Sequence, residues 1–225
     1  MPRKLILFLV EGITEEISFG MIFSEIFNDK EIEFQIVHGD ITTDDDVNSA
    51  NIIKKISSEI DKFLAREHYN KNDILKIIHL VDTDGAYIPD KNIKKSERKN
   101  IYYSDQEILT NSPDYIKERN NKKSRILNRL AKTSEINKLS YKIYYLSCNL
   151  EHVLHDNANV KREAKKIKAE EFENKFFECE HNFIDYIKSS DFAVSGSYDD
   201  TWSFIKKESN SLKRFCNLHF IFKNY

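Results

Sequence analysis

The chain has 225 residues, 32% of them charged, with a mean hydropathy of −0.59 and a formal net charge of −2. That length holds one large domain or a domain with an appendage, and an apolar content of 40% is enough for a core of ordinary size. No run approaches a membrane span, the amino terminus lacks the small-residue cleavage site of a signal peptide, and three cysteines without paired spacing argue against a disulfide framework, so a soluble, cytoplasmic protein is expected.

Charge is spread unevenly. Residues 1–90 carry 9 lysines and arginines against 18 acids, residues 91–132 carry 12 against 5, and the remainder balances at 14 against 14. An acidic first part beside a basic middle fits a carboxylate cluster next to a phosphate-contacting surface; solvated helix faces would give the same count.

In chain order, Leu5 to Val10 is a run of six apolar residues, the pattern of a short strand buried on both faces, and it ends on Glu11-Gly12. Ile13, Ile17, Met21 and Ile22 recur at helical spacing, giving a helix to about Phe27. Ile32 to Val37 alternates as a second strand and closes on His38-Gly39-Asp40. After the polar loop Thr42 to Asp46, a helix is expected from about Val47 to Arg66, with Ile52, Ile56, Ile60 and Phe63 on one face. A third strand, Ile74 to Val81, runs into Asp82-Thr83-Asp84-Gly85. This β-α-β-α-β order calls for a parallel, helix-covered sheet with right-handed crossovers.

Beyond Gly85 comes a polar, lysine-rich insertion over residues 86–100, then a short edge strand at Ile101-Tyr102-Tyr103. Helical spacing covers Tyr115 to Lys132, a strand covers Tyr141 to Leu146, and a helix starts within Ser147 to His155. From Val160 the chain reads as helices, with Phe172, Phe176, Ile184, Trp202, Leu212 and Phe215 as apolar anchors and Ser195-Gly196-Ser197 as a turn. The expected organisation is a domain over residues 1–155, with the basic insertion at about 86–132, followed by a helical subdomain over 156–225.

Glu11, Asp82 and Asp84 stand at the carboxyl ends of two strands, and in an open α/β sheet those ends form the rim where ligands bind. Hard oxygen ligands at that density favour Mg²⁺ or Mn²⁺. Lys94, Lys95, Arg98 and Lys99, then Lys122, Lys123, Arg125 and Arg129, are interleaved with Tyr102, Tyr103 and Tyr115. Cations can hold phosphates while unstacked bases lie on the rings, so these residues are candidate nucleic-acid contacts.

The segments Val10-Glu11-Gly12-Ile13-Thr14-Glu15 and Val81-Asp82-Thr83-Asp84-Gly85 resemble the two motifs of the Toprim fold of topoisomerases, bacterial primases, the 5S ribosomal RNA maturase and OLD-family nucleases. The resemblance covers roughly residues 4–155. It implies a parallel-sheet, Rossmann-like core with helices on both faces, and catalytic and metal-binding roles for Glu11, Asp82 and Asp84. The small nuclease branch adds an acid on the first helix, matched by Glu15 with Glu16 as a substitute, and another after a late strand. Asn149-Leu150-Glu151 resembles the Asn-Pro-Cys-Phe-Glu segment of RloB-like proteins of restriction and abortive-infection loci, which makes Glu151 a further metal-site acid. The proline is absent here, and an acid at a helix N-terminus is an equally simple reading of Glu151.

A competing reading places Zn²⁺ on Cys148, His152 and His155, which fall at i, i+4 and i+7. One helix seldom supplies a whole zinc site, and packing is the commoner role of such histidines. No Gly-x-x-x-x-Gly-Lys-Ser/Thr loop is present, so nucleotide-driven control would come from an ATPase partner. The resemblance therefore implies a Mg²⁺- or Mn²⁺-dependent nuclease, favouring RNA such as tRNA over DNA, in anti-phage defence. The alternative is a Toprim-shaped module without turnover that binds an ATPase or a second copy.

Overall fold

Six adjacent apolar residues can be satisfied only by burial on both faces, and β1 (Leu5–Val10) is buried throughout in the computed structural model, which describes residues 4–37, 40–189 and 191–223. His38 and Gly39, expected at the end of the second strand, lie outside the described residues. The architecture is mixed α/β with a mostly parallel central sheet. In chain order, α1 (Ile13–Ile26), β2 (Glu31–Ile36), α2 (Ile52–Glu67) and β3 (Ile74–Asp82) follow β1. The central sheet also takes β7 (Glu135–Ile136) and β8 (Leu139–Leu146), in the order β2-β1-β3-β8-β7. β1 is parallel to both neighbours, with Leu9 opposite Gln35 on one side and His79 on the other, so β1, β2 and β3 present their carboxyl ends at one rim.

By compactness the chain divides into two units, one of residues 1–81, 125–144 and 169–180, the other of residues 82–124, 145–168 and 181–225. Aromatic packing holds the first together. The Phe8 ring of β1 lies 4.8 Å from Phe23 of α1 and 5.1 Å from Phe34 of β2. Phe172, on α5 (Arg162–Phe176), meets Phe19 edge-on at 6.2 Å. His79 is buried in β3, and its Nδ1 sits 2.7 Å from the Tyr141 hydroxyl. Helix α2 starts five residues later than its apolar pattern predicts. The Asn48 side chain accepts from the N–H groups of Ala50 and Asn51, and the Asn51 side chain accepts from Asn48 N–H. These local bonds offer the backbone a turn in place of a helix.

The second unit contains β4 (Ile93–Lys95), β5 (Tyr102–Tyr103) and β6 (Ile108–Thr110) as a small sheet with β6 in the middle, parallel to β4 and antiparallel to β5. The expected edge strand at Ile101–Tyr103 is β5. The long helix α3 (Pro113–Ala131) follows β6, and α4 (Leu150–His155) follows β8. The helices expected after Val160 are α5, α6 (Glu180–Ile187) and α7 (Tyr198–Ile205). Leu212 and Phe215 are not on α-helices: Leu212 ends a 3₁₀ turn, and the segment after it bridges extended chain, with Cys216 paired to Leu146 and Ala193. Asn217 fixes this segment, its side chain accepting from Tyr145 N–H at 2.8 Å and donating to the Thr201 hydroxyl at 3.1 Å. Among the described residues no helix is long and apolar enough to cross a membrane.

His219 gives this unit an acid-sensitive point. Burial, with Lys223 and Lys188 nearby, pushes its pKa down to about 4. In the unfolded chain it would titrate near ~6.5. Between those values only the unfolded chain takes the proton, so stability is full above ~6.5 and falls as pH drops toward the folded value. Urea unfolding should show a loss of up to about 1.4 kcal/mol per pH unit from this group over that window. His219→Gln should flatten the profile; an unchanged pH dependence in that variant would contradict the assignment.

Candidate functional site

After Asp82 the chain turns through Thr83, Asp84 and Gly85, the last two in the left-handed region at φ 48° and 69°. Thr83 is fully buried, so its polar groups need partners. Its N–H donates to the Leu146 carbonyl at 3.0 Å and its hydroxyl donates to the Ser211 carbonyl at 2.9 Å. The same hydroxyl oxygen accepts from Cys148 N–H at 2.9 Å, and Asp84 N–H donates to the Cys148 carbonyl at 2.8 Å. The turn is thus bonded both to the chain after β8 and to the 3₁₀ turn at Ser211.

One side of α3 closes over the same turn. Arg119 donates to the Asp84 carbonyl at 2.8 Å, Asn120 to the Gly85 carbonyl at 3.1 Å, and the Lys123 ammonium to Asp84 Oδ2 at 2.5 Å. Lys123 is 0% exposed. This corrects its reading as a surface cation for nucleic acid: its charge is spent on a carboxylate inside the protein. Tyr103 reaches Asp84 from β5, its hydroxyl donating to Oδ1 at 3.5 Å and accepting from Arg119 at 3.1 Å. Burial, reinforced by the Asp84 charge, raises the Tyr103 pKa well above the ordinary phenol range, so it stays a donor.

Asp82 and Asp84 line one cleft of about 780 Å³. Its other walls carry Arg98, Lys99, Lys161, Arg162 and Lys165. Tyr102 and Tyr103 also line it, with the Arg98 guanidinium 4.5 Å over the Tyr102 ring. Five cations around two carboxylates make a receptor for an anion. Glu151, at the start of α4, is 3% exposed and accepts from Lys165 at 2.9 Å through Oε2, while its buried Oε1 has no hydrogen-bond partner. Asn149 caps α4, accepting from His152 N–H at 2.9 Å.

The remaining candidates are placed elsewhere. Lys94 and Lys95 are exposed on β4, and Lys122 is half-buried on α3. Arg125 and Arg129 are exposed on the part of α3 that belongs to the first unit. Glu11 and Glu15 also belong to that unit. Glu11 is half-buried just after β1; Glu15 is 5% exposed on α1 and accepts from the Thr14 hydroxyl at 3.2 Å. The zinc face dissolves in the structure, because Cys148 precedes α4 at φ 57° and takes no place on the helix. Its thiol is buried, which raises its pKa and opposes the thiolate a metal would require.

Sequence reasoning missed Thr83, Arg119 and Ser211 as builders of the turn, and Lys161, Arg162 and Lys165 as cationic walls of the cleft; Arg98, Lys99, Tyr102 and Tyr103 lie in the basic, tyrosine-bearing stretch it singled out. Among the described residues no group of three or more His, Cys, Asp and Glu side chains is disposed to hold a metal ion. The cleft offers two carboxylates, the oxygens of Asp84 already facing Lys123 and Tyr103; hard cations such as Mg²⁺ or Mn²⁺ take one or two carboxylates and keep water in their other positions. Compared with protein-family models, curated proteins and solved structures, the chain matches none of the three.

Gly85 tests how tightly the turn is built. A Cβ there would lie 2.6 Å from Leu212 Cδ2 and 3.0 Å from Ile108 Cδ1, both on buried residues, at a φ that side chains rarely adopt. Gly85→Ala should destabilise the protein by roughly 1–3 kcal/mol in urea unfolding. An unchanged midpoint would show that Leu212 gives way at no cost.

Proposed function

We propose that the chain is a metal-dependent phosphodiesterase of the Toprim type that hydrolyses nucleic acid, RNA such as tRNA ahead of DNA, as an effector of anti-phage defence. The observation that carries this reading is the cleft in which Asp82 and Asp84, at the end of a buried strand, stand among five lysines and arginines and two tyrosines. A phosphodiester backbone supplies the anionic charge those cations match, and unstacked bases supply faces for the rings. The choice of RNA rests on the resemblance to the small Toprim nucleases.

In this reading Arg98, Lys99, Lys161 and Arg162 draw the backbone into the cleft and set its register. Lys123, Arg119 and Tyr103 hold Asp84 and its turn in one conformation. Asp82 and Asp84 would hold Mg²⁺ or Mn²⁺, which lowers the pKa of an attacking water and offsets charge on the phosphate. The motif resemblance also implies metal-site roles for Glu151, in the same unit as the cleft, and for Glu11 and Glu15, in the other unit.

A second reading, a regulatory module without turnover that works with an ATPase, is favoured by one observation: a buried ammonium already occupies one oxygen of Asp84. Cleavage separates the two. Purified protein with Mg²⁺ or Mn²⁺ should cut single-stranded RNA or DNA. Glu11→Gln and Asp82→Asn should each lower the rate by more than the roughly 10–100-fold typical of losing a partner of a metal ligand. Cutting that survives EDTA and both substitutions would overturn the mechanism; no cutting, with Mn²⁺ binding absent by calorimetry, would favour the module.

A further inference from the structure

A second cleft of about 520 Å³ lies in the same unit and shares a wall with the first: Tyr102, Tyr103, Ala158 and Asn159 line both. The wall is firmly made. The Asn159 side chain accepts from Tyr103 N–H at 2.9 Å and donates to the Tyr103 carbonyl at 2.7 Å, as a paired strand would. Asn159 N–H in turn donates to the Asn157 side chain at 2.9 Å.

The two clefts differ sharply in charge. The first carries five lysines and arginines, whereas the second is lined by none; its polar groups include the carboxylates of Asp105 and Asp156 and the amides of Gln106 and Asn157. His152 also lines it, 6% exposed, and its Nδ1 has no hydrogen-bond partner. A phosphate would be repelled from this space; an uncharged, donor-rich group would be welcome.

We infer that the second cleft is a nucleobase subsite that selects guanine in single-stranded nucleic acid bound through its backbone in the neighbouring cationic cleft. The inference rests on the reading of that first cleft as the phosphodiester site. Charge segregation matches the substrate's own: anionic backbone on one side of the Tyr102–Tyr103 wall, neutral base on the other. An ionised carboxylate only accepts hydrogen bonds. Of the four bases, guanine alone presents two adjacent N–H donors, N1–H and the 2-amino group, which a carboxylate takes side by side. Adenine and cytosine each offer one amino group beside a ring acceptor, and uracil offers one N–H between two carbonyls. That edge is open to the protein only where the strand is unpaired.

The test is binding without cleavage, measured by fluorescence anisotropy in EDTA. The probes are labelled oligouridine and the same strand with one central guanosine, inosine or adenosine. The guanosine strand should bind about tenfold tighter than oligouridine, within the range of a good bidentate base contact. Inosine, which lacks the 2-amino group, should lose most of that gain, and adenosine all of it. Asp105→Asn combined with Asp156→Asn should reduce the guanosine preference to less than about twofold. Both side chains are at the surface, and asparagine accepts the left-handed backbone of Asp156, so the fold is preserved. Equal affinity for all four strands, with binding still weakened by Lys161→Glu and Arg162→Glu, would overturn the base subsite alone. Absence of binding to any strand would overturn both it and the nuclease reading.

Discussion

A buried turn must satisfy its own polar groups, and in this protein that constraint falls on Thr83. Its side chain is one hydroxyl that gives to the Ser211 carbonyl and receives from the Cys148 amide, so three distant pieces of chain meet at one oxygen. Asp84 follows in the left-handed region, which aspartate enters more readily than most side chains. Arg119, Asn120 and Lys123 hold the turn from a single helix. The carboxylates of the cleft inherit their positions from these hydrogen bonds.

The second governing effect is electrostatic. A lysine with no exposure to solvent gives up a large hydration energy, and it is tolerable only against an opposing charge. Asp84 supplies such a charge, its Oδ2 on the Lys123 ammonium. The pair therefore serves position more than stability. Of the cations that line the cleft, Arg98, Lys99, Lys161 and Arg162 are placed to meet a ligand from water.

Much of the fold was written in local pattern. The six apolar residues of β1, the alternation of β2 and the apolar run of β3 each fell on the strand they imply, and helical spacing located α1, α3 and the helices after Val160. The start of α2 was hidden by side-chain-to-backbone bonds at Asn48 and Asn51, which an apolar period does not register. For the site, the acids at the end of β3 stood out because a run of apolar residues that stops abruptly on Asp-Thr-Asp-Gly puts two charges at the mouth of a buried strand. Lys123 did not stand out: in a row of lysines and arginines, periodicity alone does not say which cation turns inward. Nor could Arg98 and Lys161 be assigned to a common cleft, since four strands and two helices, β5 to β8 with α3 and α4, separate them along the chain. Ser211 acts through a backbone carbonyl, which every residue possesses, so no residue type announces it.

The Thr83 to Ser211 bond spans 128 positions of chain. Synthesis proceeds at about 5–20 residues per second, so roughly 6–25 seconds separate the emergence of the hydroxyl from that of its acceptor. Throughout that interval the nascent Asp82–Gly85 turn is left with a partner missing, and water must stand in for it. Closing so long a loop costs only slightly more than closing a shorter one, because the entropy grows with the logarithm of length. Delay, more than final stability, is what this connectivity imposes: the turn that carries Asp82 and Asp84 is completed only once the 128 residues after Thr83 have been made, which keeps the proposed RNA-cutting centre unfinished beside the machine that is making it.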